Sequence, residues 1–75
     1  MAENEFVRIE VGLDGGTILS ALVVPASADA LDRSLQAGVD GTLSLDAQDG
    51  TIVLVLTRVL YAKRFAREGR VGFGD

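Results

Sequence analysis

The sequence predicts a small α+β domain: a mostly antiparallel sheet made of a β-hairpin, one helix, and a second hairpin with a further strand, with the helix on one face. Three observations support this prediction. Apolar and branched residues form several short runs with strand character. Acidic and glycine residues typical of tight turns separate these runs. One segment between them has helical spacing instead. With 75 residues, the chain has material for one thin core, so we expect a single domain over residues 1–75.

The first hairpin is predicted over residues 6–24. Every second residue from Val7 to Leu13 is apolar, which is the period of a half-buried strand. Asp14 and two glycines follow, and glycine supplies the positive φ angles that hairpin turns require. The returning strand, rich in branched residues, ends at Pro25, because proline has no N–H for the ladder.

The helix is predicted to begin with Ser27 as N-cap, whose hydroxyl can accept from the free amides of the first turn. Asp29 would then lie in the first turn, where a negative charge favours the helix dipole. Gly38 is expected to form the left-handed C-terminal cap. The face toward the sheet is formed by three apolar residues: Ala28, Leu31 and Leu35.

The second hairpin is predicted over residues 42–56, with its turn at residues 47–50. Its returning strand is apolar at every position from Ile52 to Leu56, unlike the first strand. A strand that is apolar on both faces must be covered twice. The helix covers one face, and we expect another subunit to cover the other.

The last segment is open to two interpretations. We favour a strand over residues 58–64 with Val59, Tyr61 and Phe65 on one face, although residues 62–68 also contain good helix formers. Residues 70–75 form a short tail, either an edge-pairing strand or a loose arm. Its apolar residues are Val71 and Phe73.

The charges are segregated along the chain. Residues 1–57 carry nine acidic and two basic side chains, a net charge of −7, whereas residues 58–70 carry five basic and one acidic, a net charge of +4. An acidic body can bind the basic segment of another copy. The same segment can alternatively contact phosphate groups.

Composition argues against an enzyme and against a metal site. The chain has no histidine and no cysteine, which removes the usual neutral-pH acid/base, the thiolate nucleophile and the commonest metal ligands. Asp14, Asp40 and Asp49 each precede a glycine in a turn sequence, where an aspartate ordinarily hydrogen-bonds the backbone. We expect no cofactor. The sequence also lacks a long apolar run, so we expect no membrane span and a cytoplasmic location, or a virion location for a phage protein.

Three segments of the second half, residues 42–45, 58–61 and 70–74, read Thr-Leu-Ser-Leu, Arg-Val-Leu-Tyr and Arg-Val-Gly-Phe-Gly. These segments resemble a small actinobacterial domain family of unknown function that ends in a Val-Gly-Phe-Gly tail. The resemblance implies an actinobacterial setting, or a phage of such a host. It implies no catalytic residues.

These observations predict a non-catalytic interaction module that forms a homo-oligomer or binds another protein, as a cellular accessory protein or a phage structural protein such as a capsid decoration subunit. The predicted interface consists of apolar residues left over after the helix covers one sheet face: Leu19, Val23, Val53, Val55 and Leu60. The alternative is a nucleotide- or RNA-binding module that uses the basic segment. Its predicted contacts are Arg58, Lys63, Arg64, Arg67 and Arg70.

Overall fold

The computed structural model describes residues 5–65, which form five strands and one helix. The elements are β1 (Val7–Leu13), β2 (Ile18–Val23), α1 (Pro25–Ala37), β3 (Thr42–Ala47), β4 (Gly50–Val55) and β5 (Val59–Arg64), with 3₁₀ turns at Asp14–Gly16 and Leu56–Arg58. The strands form one sheet in the order β4-β3-β2-β1-β5, and every neighbouring pair is antiparallel. The predicted α+β class, with two hairpins and a further strand around one helix, is confirmed.

The alternating pattern of β1 places its apolar residues in the core. Ile9 and Val11 are buried, and across the ladder they oppose Ala21 and Leu19 of β2. The turn between the two strands uses Gly15 at φ 83°. A side chain is disfavoured at that φ, so the glycine fits this turn better than other residues.

The helix begins three residues earlier than the sequence pattern predicted. Its N-cap is Val24, and Pro25 occupies the first turn, where the missing N–H removes no helical hydrogen bond. Ser27 is therefore not the N-cap, and Asp29 lies beyond the first turn. Instead, the buried Ser27 Oγ accepts a hydrogen bond of 2.9 Å from the Asp46 N–H. This contact joins the helix to β3.

The other end and the inner face of the helix agree with the prediction. Gly38 caps the helix in the left-handed conformation at φ 69°. Ala28 and Leu31 are buried and Leu35 packs against them from a half-buried position. The helix contacts β1, β3 and β5, so it lies over the inner face of the sheet. The buried apolar core is a single cluster of Ile9, Val11, Val23, Ala28, Leu31, Leu45, Leu54 and Leu56.

The two edge strands of the sheet are joined directly, and this link forces the sheet to curl. Only the 3₁₀ turn Leu56–Arg58 connects β4 to β5. The four Cα–Cα steps from Val55 to Val59 span at most about 14 Å. In a flat five-stranded sheet the edge strands would lie about 19 Å apart. In agreement, Val53 and Val55 of β4 line a shared concavity with Leu13 and Thr17 beside the first turn.

The curled sheet is held together weakly between β2 and β3. The register there contains one pair, Val23 with Ala47. Two backbone hydrogen bonds flank it, from the Val24 N–H to the Asp46 carbonyl at 3.0 Å and from the Gln48 N–H to the Leu22 carbonyl at 2.8 Å. The core and the helix therefore supply most of the contact between the two hairpins.

The last segment is a strand up to Arg64, and Phe65 follows outside it. Val59 faces Leu13 and Tyr61 faces Gly12, so Leu60 is the extra residue of a β-bulge. Tyr61 therefore lies on the outer face, whereas Val59 packs against the core. The prediction that both share one face was wrong because strict alternation does not hold across a bulge. Residues 66–75 lie outside the described residues. They include the predicted tail and part of the alternative helix over 62–68.

Gly12 and Tyr61 form a close cross-strand pair on the outer face. They are direct partners in the ladder, and a Cβ atom placed on Gly12 would collide with the Tyr61 ring. Gly12 is buried although it lies on the outer side of the sheet. The tyrosine ring therefore covers the glycine backbone, a known means of stabilising glycine within a sheet.

We predict that Gly12→Ala lowers the free energy of unfolding by about 1–3 kcal/mol, because the new methyl group displaces the Tyr61 ring. Urea denaturation measures this loss. In a Tyr61→Ala background the same change should be neutral or stabilising, since alanine suits a strand better than glycine. An equal loss in both backgrounds would contradict this explanation.

We predict that Ser27→Ala costs about 1 kcal/mol of unfolding free energy, because the part-buried Asp46 N–H loses its acceptor. Thermal or urea unfolding measures the loss. Ser34→Ala is the matched control on the same helix, and it leaves the contact with β3 intact. Equal effects of the two substitutions would indicate a helix-propensity effect instead of a lost hydrogen bond.

Candidate interaction surface

The most distinctive surface of the described chain is the outer edge of β4. No strand among residues 5–65 pairs with β4 on the side away from β3. Between Gly50 and Val55 this strand has no charged residue, no proline and no bulge. Natural sheets normally protect an edge with one of these features, because an unprotected edge pairs with other strands.

The hydrogen-bond pattern shows which β4 backbone groups are free. Along a strand, successive residues direct their N–H and C=O groups to opposite sides. The Asp46 carbonyl accepts from the Val24 N–H and the Asp46 N–H donates to Ser27 Oγ, so Asp46 and its partner Thr51 are not hydrogen-bonded to each other. Thr51 therefore directs its backbone groups away from β3, and Val53 and Val55 do the same at two-residue intervals.

The alternate residues of this strand direct their backbone groups toward β3, which agrees with that assignment. The Leu56 N–H, one residue after β4, bonds the Gly41 carbonyl on the β3 side at 2.8 Å. The side chains of the edge residues are also accessible, with Val53 61% and Val55 48% exposed. Leu54, between them, is buried in the core. The edge of β4 thus presents free backbone groups and exposed apolar side chains together.

The other edge strand, β5, is protected. It carries Lys63 and Arg64 and is interrupted by the bulge at Leu60. Charges and bulges at an edge oppose pairing with another strand. The two edges of one sheet therefore differ strongly in their capacity for strand addition.

The structure separates the predicted interface residues. Val53 and Val55 are exposed on β4, and Leu60 is 69% exposed on β5 at the opposite edge of the sheet. Val23 is fully buried and belongs to the core, so in this fold it has no surface for a partner. Leu19 is half-buried and packs against the same core. The sequence could not separate them because it does not show which face of each strand the helix covers.

The described basic residues lie in three different surroundings. Arg58 donates to Asp14 at 3.0 Å, beside the turn between β1 and β2. Arg64 donates to Asp29 of the helix at 2.7 Å and lies 3.7 Å from Asp32. The hydrogen bond with Asp29, followed by the nearby negative charges, raises the pKa of Arg64 above its usual value. Both arginines therefore neutralise acidic side chains of the domain itself.

Lys63 lies on the outer face with an aromatic ring. Its Nζ is 4.6 Å from the centroid of Phe65, and the Arg8 guanidinium is 4.8 Å from the same centroid. This arrangement is a cation–π cluster. Within residues 5–65 the predicted basic residues form no continuous surface for phosphate groups. Arg67, Arg70, Val71 and Phe73 lie outside the described residues.

The sequence interpretation missed the outer apolar face of β2 and β5. Ile18, Leu22 and Tyr61 are exposed there, and Ile18 and Tyr61 flank Gly12 on its two sides. A glycine inside a strand pattern often marks a bulge or a close approach of another group to the backbone. Gly12, inside the first strand pattern, was therefore a sequence signal for this face.

A wide concavity of about 1030 Å³ opens where β2 diverges from the second hairpin. Leu19, Ala21 and Ile52 form its apolar part, and Gln48 and Asp49 of the hairpin turn form part of its rim. Its lining contains no histidine or cysteine and no pair of acidic residues. This composition offers contact area for a partner.

Residues 5–65 contain no group of three or more acidic, histidine or cysteine side chains placed to hold a metal ion. Over the same residues, no helix has the length and apolar character needed to cross a membrane.

Comparisons of the chain with family models, with curated proteins and with solved structures gave no match. The resemblance to the actinobacterial domain family therefore stays a prediction.

We predict that Arg64→Gln lowers the free energy of unfolding by less than about 1 kcal/mol, because the ion pairs with Asp29 and Asp32 are solvent-exposed. The loss should shrink further at high salt, which screens exposed pairs. Urea denaturation at low and high salt measures both effects, with the exposed Arg33→Gln as control. A larger loss that is independent of salt would contradict this interpretation.

Proposed function

We propose that the protein is a non-catalytic interaction module that self-associates through the free edge of β4. The observation that carries this proposal is the contrast between the two sheet edges. β4 is uncharged, regular and rich in branched residues, whereas β5 carries two cations and a bulge. Such a module suits an accessory or structural subunit, either in a cell or in a phage particle.

Pairing along β4 would satisfy the polar groups and the apolar groups of the edge at once. Each hydrogen bond formed between strands contributes about 1 kcal/mol net. The exposed Val53 and Val55 side chains would lose contact with water when a neighbouring strand covers them. Association also costs translational and rotational freedom, so we expect the assembly to depend on protein concentration.

The proposed interface predicts how salt affects assembly. Backbone hydrogen bonds and valine contacts are insensitive to ionic screening, so the oligomer should persist at high salt. Pairing of the acidic body with the basic segment of another copy would instead weaken as salt rises. Light scattering after gel filtration at low and high salt therefore distinguishes the two modes of assembly.

We predict that Val53→Lys shifts the protein toward the monomer, because a lysine on an edge strand opposes pairing. Val53 is exposed, so the substitution should leave the domain folded. Light scattering over about two decades of concentration measures the shift.

Leu60→Lys is the matched control, since Leu60 is at least as exposed but lies on β5. Its solution mass should equal that of the original chain. If Leu60→Lys dissociates the oligomer and Val53→Lys does not, the interface lies at β5. A monomeric original chain at all concentrations would contradict the proposed function itself.

A further inference from the structure

We infer that the partner on β4 is a second copy of this chain, paired antiparallel about a two-fold axis at Val53. In this arrangement Val53 lies opposite the partner's Val53, and Thr51 lies opposite the partner's Val55. The inference rests on the proposed function and deepens it, because it specifies the occupant, its direction and its register.

The extent of the free edge determines the register. Thr51, Val53 and Val55 direct their backbone groups outward, as the hydrogen bonds of the hairpin require. An axis at Thr51 would place Val53 opposite the turn residue Asp49. An axis at Val55 would place Val53 opposite Thr57, which lies in the 3₁₀ turn. Only an axis at Val53 places all three edge residues opposite extended backbone.

The charges at the two ends of β4 determine the direction. Asp49 lies in the turn before β4, and Arg58 lies in the 3₁₀ turn after it. An antiparallel pair brings Asp49 of each copy toward the partner's Arg58. A parallel pair would bring Asp49 next to the partner's Asp49, and like charges opposite each other disfavour pairing.

Arg58 can serve this second contact without losing the first. It is exposed, and the ion pair with Asp14 uses its Nη1 atom. A guanidinium has five N–H donors, so donors remain for a further carboxylate. The same contact occurs twice across the two-fold axis, as an interface between identical surfaces requires.

Engineered cysteines test the register, because the chain has no cysteine of its own. Hydrogen-bonded partners in antiparallel strands have Cα atoms about 5.5 Å apart, which suits a disulfide. Full-length Val53→Cys should therefore form a covalent dimer under mild oxidation, seen on a non-reducing gel. Thr51→Cys alone should not, since its two copies would be separated by about 13 Å along the strand.

A mixture of the Thr51→Cys and Val55→Cys chains provides the second arm. The inferred register places these two positions opposite each other, so the mixture should form the mixed disulfide while either chain alone stays monomeric under denaturing, non-reducing conditions. This arm also tests the register if Val53→Cys impairs folding, which the amide dispersion of its NMR spectrum would reveal.

The results separate this inference from the proposed function. Rapid cross-linking of Thr51→Cys alone or of Val55→Cys alone, with little for Val53→Cys, would overturn the register and keep association at β4. An oligomeric solution mass without any of these cross-links would overturn the register, and the Val53→Lys variant then shows whether the interface lies at β4. A monomeric mass for the original chain would remove the proposed function, and this inference with it.

Discussion

The short connection between β4 and β5 is the constraint on which the rest of the structure depends. These strands lie at opposite edges of the sheet, yet only the 3₁₀ turn Leu56–Arg58 separates them in sequence. The sheet must curl to bring its edges within reach of so short a link. Because the sheet curls, it has an inner face that the helix covers. Leu54 and Leu56 extend the buried core to the connection itself.

The same constraint leaves little pairing between the two hairpins. With one register pair between β2 and β3, the joint depends on side chains more than on the ladder. The buried Ser27 hydroxyl, which accepts from Asp46, contributes where the ladder ends. The helix therefore both covers the core and connects the hairpins, and a helix of this length needs such packing to be stable.

The charge distribution looks different in three dimensions from its appearance along the chain. Along the sequence, the basic segment is a candidate for binding a phosphate ligand or another copy. In the fold, Arg58 and Arg64 pair with acidic residues of the same domain, from the first turn and from the helix. Charges that are segregated along a small chain can thus pair within the domain. Here the ion pairs join the segment of β5 and its preceding turn to the first turn and the helix. The uncharged edge of β4 is then the surface with the clearest capacity for a partner.

The sequence by itself determined the number, type and approximate bounds of the elements. Alternation, turn residues and helical spacing are local, so they identified the hairpins, the helix and its cap at Gly38. Local patterns could not resolve the start of the helix, because both Pro25 and Ser27 favour a first turn, nor the bulge at Leu60.

Only the tertiary structure decided which apolar residues stay exposed. Val23 and Val53 look alike in sequence, yet one is in the core and the other on the surface. Burial depends on which face the helix covers and on how the sheet curls, and both are set by contacts between residues far apart in the chain. For the same reason, the sequence contained the uncharged run of β4, whereas only the strand order placed that run at an edge.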